Sequence, residues 1–316
     1  MAGAIRRALR RQGIAQRKAA VALSGSLVFL RQLCLPKMPP KELRQALAWE
    51  AEQNIPIPPP EALVDHAVLK EEPDGQLSIL LAGADRKVVE GLLQSLRLAG
   101  VKPIALEFDA EALLRGAAMG GVLERGTNGL MATVDLGDAS TRLAVFKDGH
   151  PLACRSIAFS GRMLTERIAR EMGVSEEEAE ELKLRFGALS HSPVGVICGG
   201  MLAQLTREIA RSLEFFLVQN RDTVFNSLLL AGGGAMLKGL DSSVADGLGL
   251  LLAARLPSGA PPSVELINPL GRFGLSRPVA KVKDLLGTEF ALATGLALRN
   301  LERRVGVRGE AGHGGH

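Results

Sequence analysis

The chain has 316 residues, 47% of them hydrophobic, and carries a formal charge of +4 with a pI near 9.1. That is enough chain for two domains or one large unit with a sizeable core. The basic start is not followed by the apolar stretch of a signal peptide, and no apolar run is long enough to span a bilayer. Aromatics at 3%, with no tyrosine, leave no stacking platform for nucleic acid. Cys34, Cys154 and Cys198 form no C-x-x-C pair and read as buried small hydrophobes of a reducing cytoplasm. The five histidines are scattered and offer no metal constellation.

A basic helix is predicted over 4–16, with its arginines on a solvated face. Two apolar runs, A-A-V-A-L-S-G and S-L-V-F-L-R-Q-L-C-L-P, read as strands joined at Gly25. Pro36, Pro39 and Pro40 punctuate a loop and open a helix whose stripe is Leu43, Ala46, Leu47 and Ala51. Trp49, the one tryptophan, reads as a core residue of that helix. I-P-I-P-P-P ends it, because proline lacks the amide that a continuing helix needs. Two alternating strands follow, linked by E-E-P-D-G, in which Asp74-Gly75 is a hairpin signal. A helix over 86–98, a strand around V-K-P-I-A-L-E-F and a helix over 110–119 come next. The glycine-rich segment 120–129 is the expected lobe boundary.

Beyond it a strand hairpin turns at Asp148-Gly149, and helices are predicted over 161–171 and 175–185. Ser175 and Glu178 have the spacing of a capping box. A long helix is expected over 201–219, and the proline- and glycine-rich stretch 256–281 winds over the surface. The last helix ends near Arg304, and the tail 305–316 is expected to be disordered.

Two segments carry the chemistry. V-D-L-G-D-A-S-T-R-L holds Asp135, Gly137, Asp138 and Thr141. L-L-L-A-G-G-G-A-M-L-K-G-L holds Gly232, Gly233, Gly234 and Gly239. Each is an apolar run that breaks into small residues, as a buried strand must where its end approaches a phosphate; without Cβ atoms, bare amides can cradle anionic oxygens. An aspartate at such an end can hold Mg²⁺ or a metal-bound water. Between them Glu180 and Lys183, three apart, share a helix face. Ala293, Gly295 and Ala297 form a small-residue strip on which another helix could cross closely.

In this order the segments resemble those of the actin-like ATPase superfamily. Residues 135–141 look like its second phosphate loop, 231–240 like its adenosine loop, and 291–298 like its second connecting helix. The resemblance implies a bilobed α/β fold of the actin-like, ribonuclease H-like type that binds ATP and Mg²⁺. Its nucleotide residues would be Asp135, Gly137, Asp138, Thr141, Glu180, Lys183, Gly232, Gly233 and Gly234. Asp135 would hold Mg²⁺ through water, and Glu180 and Lys183 would lie beside the ribose and base.

Within the superfamily, C-L-P-K-M-P-P-K-E-L-R-Q-A-L-A-W-E-A-E-Q-N-I-P-I-P and R-S-I-A-F-S-G-R-M-L-T-E-R-I-A-R-E resemble the PilM family of type IV pilus assembly. That resemblance implies a remnant of the first lobe over 1–23 and an inserted α+β module, termed 1C, over 24–106. It further implies a return to the first lobe over 107–130, and a second lobe with the nucleotide loops over 131–304. It implies a cytoplasmic adaptor with weak or absent hydrolysis, bound to the N-terminal cytoplasmic tail of the inner-membrane protein PilN. Membrane association would pass only through partners of the pilus inner-membrane complex, with no nucleic acid involved. An FtsA-like division protein and a sugar kinase are the alternatives on the same fold. The family's first phosphate loop, a hairpin with D-x-G, has no match here, since no aspartate precedes Asp65; the expectation is that the true start lies upstream.

Overall fold

A computed structural model describes residues 1–120, 129–188, 191–220, 223–256, 262–271 and 287–305. The chain divides into two compact units, Met1–Ala112 with Leu296–His316, and Leu113–Gly295. It passes between them within two helices, α4 (Asp109–Met119) and α9 (Ala291–Val305). Most of 120–129, the tail 306–316 and most of the stretch 256–281 lie outside the described residues.

The first unit opens with α1 (Ala2–Arg11), then β1 (Lys18–Leu23), β2 (Val28–Pro36), α2 (Pro40–Asn54), β3 (Ala62–Glu71), β4 (Gln76–Asp85), α3 (Arg86–Leu98) and β5 (Lys102–Phe108). β1 and β5 pair in parallel, while β2, β4 and β3 form an antiparallel sheet with β4 in the middle. Strand periodicity explains how β4 is covered twice. Leu77, Ile79 and Leu81 meet Leu47, Ala51 and Ile55 at α2, whereas Ala84 meets Val89 of α3. Asp85 caps α3 by accepting from the amides of Lys87 and Val88, which fixes its predicted start. Two readings of the sequence fail. Trp49 is 61% exposed, because the buried stripe of α2 narrows to Leu47 and Ala51 and Trp49 sits off it. Cys34 is exposed and Cys154 only half-buried, so of the cysteines Cys198 alone behaves as a buried hydrophobe.

The second unit holds β6 (Leu130–Leu136), β7 (Thr141–Lys147), β8 (His150–Ile157), α5 (Gly161–Met172), α6 (Glu176–Phe186), α7 (Pro193–Gln219), β9 (Phe225–Ala231), α8 (Leu240–Leu251) and β10 (Ser263–Leu266). Its sheet order is β10-β9-β6-β7-β8, with β6 parallel to β9 and antiparallel to β7. The β7–β8 turn has positive φ at both Asp148 and Gly149, the two-residue geometry whose twist suits a hairpin. Val194, Cys198, Leu202, Leu205, Ile209, Leu213 and Leu217 form the core stripe of α7, and each fully buried leucine contributes about 1.5–3 kcal/mol. α7 starts earlier than expected because Ser192 caps it, accepting from Gly195 N at 2.8 Å, with Pro193 next. β10, on β9 by a parallel register, was not anticipated. The expected strip of Ala293, Gly295 and Ala297 is not a packed face either: Ala293 and Ala297 are exposed, and Ala291, Gly295 and Leu298 are buried.

Candidate functional site

β6 and β9 run parallel with Asp135 opposite Ala231, so the loops that follow them emerge side by side from the same sheet edge. Carboxyl ends of adjacent parallel strands are where α/β sheets take ligands. Both glycine segments therefore meet in the second unit. The first loop, 137–140, is closed by Gly137 N donating to Ser140 O at 3.0 Å. Asp138 is exposed and paired with Arg162 (2.6 Å), and this carboxylate holds the Arg162 pKa above its ordinary value. Thr141 is fully buried at the start of β7, and its hydroxyl has no hydrogen-bond partner among the described residues.

The second loop needs glycine at two of its three positions. Gly232 has φ +83°, and a Cβ there would lie 2.5 Å from both Asp135 Oδ1 and the Leu136 carbonyl. A Cβ at Gly234 would lie 2.6 Å from Leu136 Cδ2. Gly233 is the exposed member: it has no positive φ, and nothing stands within 4 Å of where its Cβ would be. Of these neighbours Gly232, and not Gly233, is the position whose φ requires glycine. Thr288, buried just before α9, clamps the turn by accepting from Gly232 N (3.1 Å) and donating its hydroxyl to Gly232 O (2.8 Å).

Asp135 is ion-paired with Arg142 across the β6–β7 ladder, where the two residues are register partners. One oxygen of this carboxylate is taken by Arg142, while the other, Oδ1, lies where a Cβ added at Gly232 would crowd it. No group of three metal-ligating side chains exists among the described residues. Any metal here would depend on ligand oxygens, with Asp135 or Asp138 acting through water.

Lys183 lies under the first loop and is 8% exposed, not on the surface. Its ammonium donates to Gly161 O (3.2 Å), Thr165 Oγ1 (2.9 Å) and Glu180 Oε2 (2.7 Å). An ammonium has three donors, and all three are engaged, which offsets the cost of burying the charge. Gly161 N in turn donates to Gly137 O (2.9 Å), and Arg162 N to Asp138 O (3.0 Å). The start of α5 thus joins the lysine to the loop. Glu180 keeps a side chain 45% exposed. Burial pushes the Cys198 thiol up to about 11, with Lys183 pulling it down. Thr165, Gly161, Arg142, Arg162 and Thr288 were missed in the sequence. Only Arg142 and Arg162 had a visible signal, as basic residues next to a loop expected to bind phosphate.

A concavity lies within the first unit. Between α2 and β3 runs a groove of about 390 Å³, floored by Leu47, Ala51 and Leu81 and edged by Arg44, Asp65 and His66. β3 is an outer strand of its sheet, paired with β4 alone among the described residues. Val64, which lines the groove, is exposed.

The family model described as type IV pilus assembly protein PilM matches residues 1–301. A chain of the solved PilM–PilN type IV pilus biogenesis complex is 33% identical, with a TM-score of 0.77, over 95% of this chain and 84% of its own length. The cell division protein FtsA of Bacillus subtilis is 30% identical over 109 residues, 34% of this chain and 23% of FtsA. MreB5 of Spiroplasma citri, solved bound to AMPPNP, shares 14% identity at a TM-score of 0.48, over 70% of this chain and 67% of its own.

Proposed function

The chain belongs to the PilM family of type IV pilus assembly proteins and has its actin-like fold; from that premise we propose that it is a cytoplasmic, nucleotide-binding adaptor that docks a PilN-type tail. The observation that carries the adaptor reading is 33% identity sustained over 95% of the chain with a protein solved in complex with PilN. The FtsA likeness is confined to a third of the chain and gives the division-protein alternative less support.

The nucleotide reading is supported by the paired loops. ATP phosphates would lie over the loop 137–140 and against Gly233, where the backbone is open. Mg²⁺ would come with the phosphates, held to Asp135 and Asp138 through water. Glu180, with its exposed carboxylate, would face the ribose hydroxyls, and Lys183 would act by holding Glu180 and Gly161 in place, since its donors are all engaged. Calorimetric titration of Mg·ATP tests this: Asp135→Ala is expected to weaken binding. Equal affinity in wild type and variant would remove Asp135 from the site.

The tail reading is supported by the groove beside the open edge of β3. An extended peptide can add to such an edge through main-chain bonds while apolar side chains fill the groove. Trp49 is exposed on the same helix that forms one wall. A PilN-type tail peptide is expected to protect amides within 24–106 from hydrogen exchange. Protection found only after Met131 would refute this docking surface.

A further inference from the structure

Residues 1–41 contain no carboxylate side chain, whereas Arg6, Arg7, Arg10, Arg11, Arg17 and Lys18 crowd 6–18. The fold determines how these charges are presented. The apolar side of α1 is already covered, since Ala2, Ile5 and Leu9 pack against Leu96, Ala99 and Val101. Arg6 donates to the carbonyl of Leu98, in the last turn of α3, where a helix favours a cation. The helix is therefore held in place and offers charge, not an insertable apolar face. Arg7, Arg10 and Arg11 are exposed, with no carboxylate in ion-pair reach among the described residues.

A second feature points the same way. Lys18 of β1 and Lys102 of β5 are register partners in a parallel pair, and both are exposed. Like charges directly opposite on a sheet destabilise it. Arg17 adjoins them, its carbonyl accepting from Lys102 N at 2.6 Å. Lys102 follows closely on Leu98, the residue that Arg6 holds. The arginine face and the lysine pair thus belong to one region of the first unit.

We propose that this basic face lies against an anionic bilayer, contacting the headgroups of acidic phospholipids. A rigid array of guanidinium and ammonium groups suits a spread of mobile phosphates, because the attraction tolerates lateral disorder. The face has no aromatic side chain in 1–18 on which a nucleic-acid base could stack. The proposal is independent of the nucleotide site, and it adds direct membrane contact to a link that would otherwise pass only through a partner.

The test is co-sedimentation of the full chain with phosphatidylcholine vesicles, with and without phosphatidylglycerol, at low and high salt. Each basic residue near such a surface contributes about fivefold in partitioning. The triple variant Arg7→Gln, Arg10→Gln, Arg11→Gln is expected to lose about a hundredfold, compounded from that factor. Binding should require phosphatidylglycerol and should fade as salt screens it. Lys18→Gln leaves α1 untouched and is expected to lose about fivefold without lowering the melting temperature, since it relieves a like-charge pair. That variant carries the test if the triple variant does not fold. Several results would overturn the proposal: no binding to phosphatidylglycerol vesicles at low salt, equal binding to phosphatidylcholine alone, or full binding retained by the variants. So would tighter binding to a DNA duplex at the same salt.

Discussion

Gly232 and Gly233 are neighbours that the sequence cannot tell apart, yet alanine should be costly at the first and nearly neutral at the second. At Gly232 the backbone has φ +83° and ψ 167°, a region that residues with a Cβ occupy at a cost of about 1–3 kcal/mol. The new Cβ would also lie 2.5 Å from Asp135 Oδ1 and from the Leu136 carbonyl, both fixed by the β6 ladder, so a strand end must shift. Overpacking of that kind costs about 1–3 kcal/mol, which brings Gly232→Ala to about 2–6 kcal/mol. For a unit of this size about 2–4 °C of melting temperature goes with each kcal/mol, so a fall of about 10 °C is expected. Gly233→Ala meets nothing within 4 Å and needs no unusual φ, so its effect on stability stays within about 0.5 kcal/mol. Gly233→Val should fold normally but obstruct a phosphate approaching from the open side, weakening nucleotide affinity about 5- to 150-fold if about 1–3 kcal/mol of crowding appears in the complex. Thermal melts and titration with a fluorescent ATP analogue separate the two effects. A large drop in melting temperature for Gly233→Ala, or none for Gly232→Ala, would refute the loop geometry. Normal nucleotide affinity in a folded Gly233→Val protein would refute the binding role.

The Lys183–Glu180 pair should respond asymmetrically. Glu180→Ala strands a buried ammonium and is expected to cost about 3 kcal/mol, while Lys183→Met leaves a carboxylate that water can reach and should cost about 1–2 kcal/mol; denaturant melts giving the reverse order would reject the buried-lysine account. Cys198 makes alkaline stability a second test. Its thiol is raised from 9.0 to about 11 by burial, so the folded state keeps a proton that the unfolded chain releases. The corresponding stability, about 2–3 kcal/mol, is present below about pH 9 and is lost as pH rises through about 11. Cys198→Ala should flatten that decline, and a thiol reagent should label Cys34 in the native protein while leaving Cys198 until unfolding; labelling of both at equal rates would contradict the burial.

What could be read directly from the sequence was whatever local chemistry decides. Asp74-Gly75 and Asp148-Gly149 mark real hairpins because a tight turn needs residues that tolerate positive φ, and few others do. Ser175 caps α6 as its spacing predicts, accepting from Glu178 N at 3.2 Å. Where two segments must meet, the pattern misleads. Gly199 and Gly200 argue against helix, yet both lie inside α7, since the stripe from Val194 to Leu217 outweighs the cost of two glycines. A close approach that no spacing announced occurs at Gly116, where a Cβ would run into the Ala291 carbonyl. Glycine tells that something comes near; it does not tell which backbone does.

The candidate site shows the same division more sharply. Asp135, Gly137 and the three glycines from Gly232 stand out in the sequence because an apolar strand that breaks into small residues has a distinctive composition. Lys183 was recognisable as a charged residue, but its burial depends on Gly161 and Thr165 of another helix, and no spacing within α6 encodes that. Arg142 is a similar case. In sequence it is one more polar residue on a strand, and only the register that sets it opposite Asp135 makes it the partner of that carboxylate. Charge therefore enters this site on two levels. Asp138 and Arg162 are exposed and could exchange their pairing for a ligand at little cost, whereas Lys183 holds its three acceptors in a buried network and would have to break it. A nucleotide that binds here should accordingly rearrange the outer pair and leave the inner one intact.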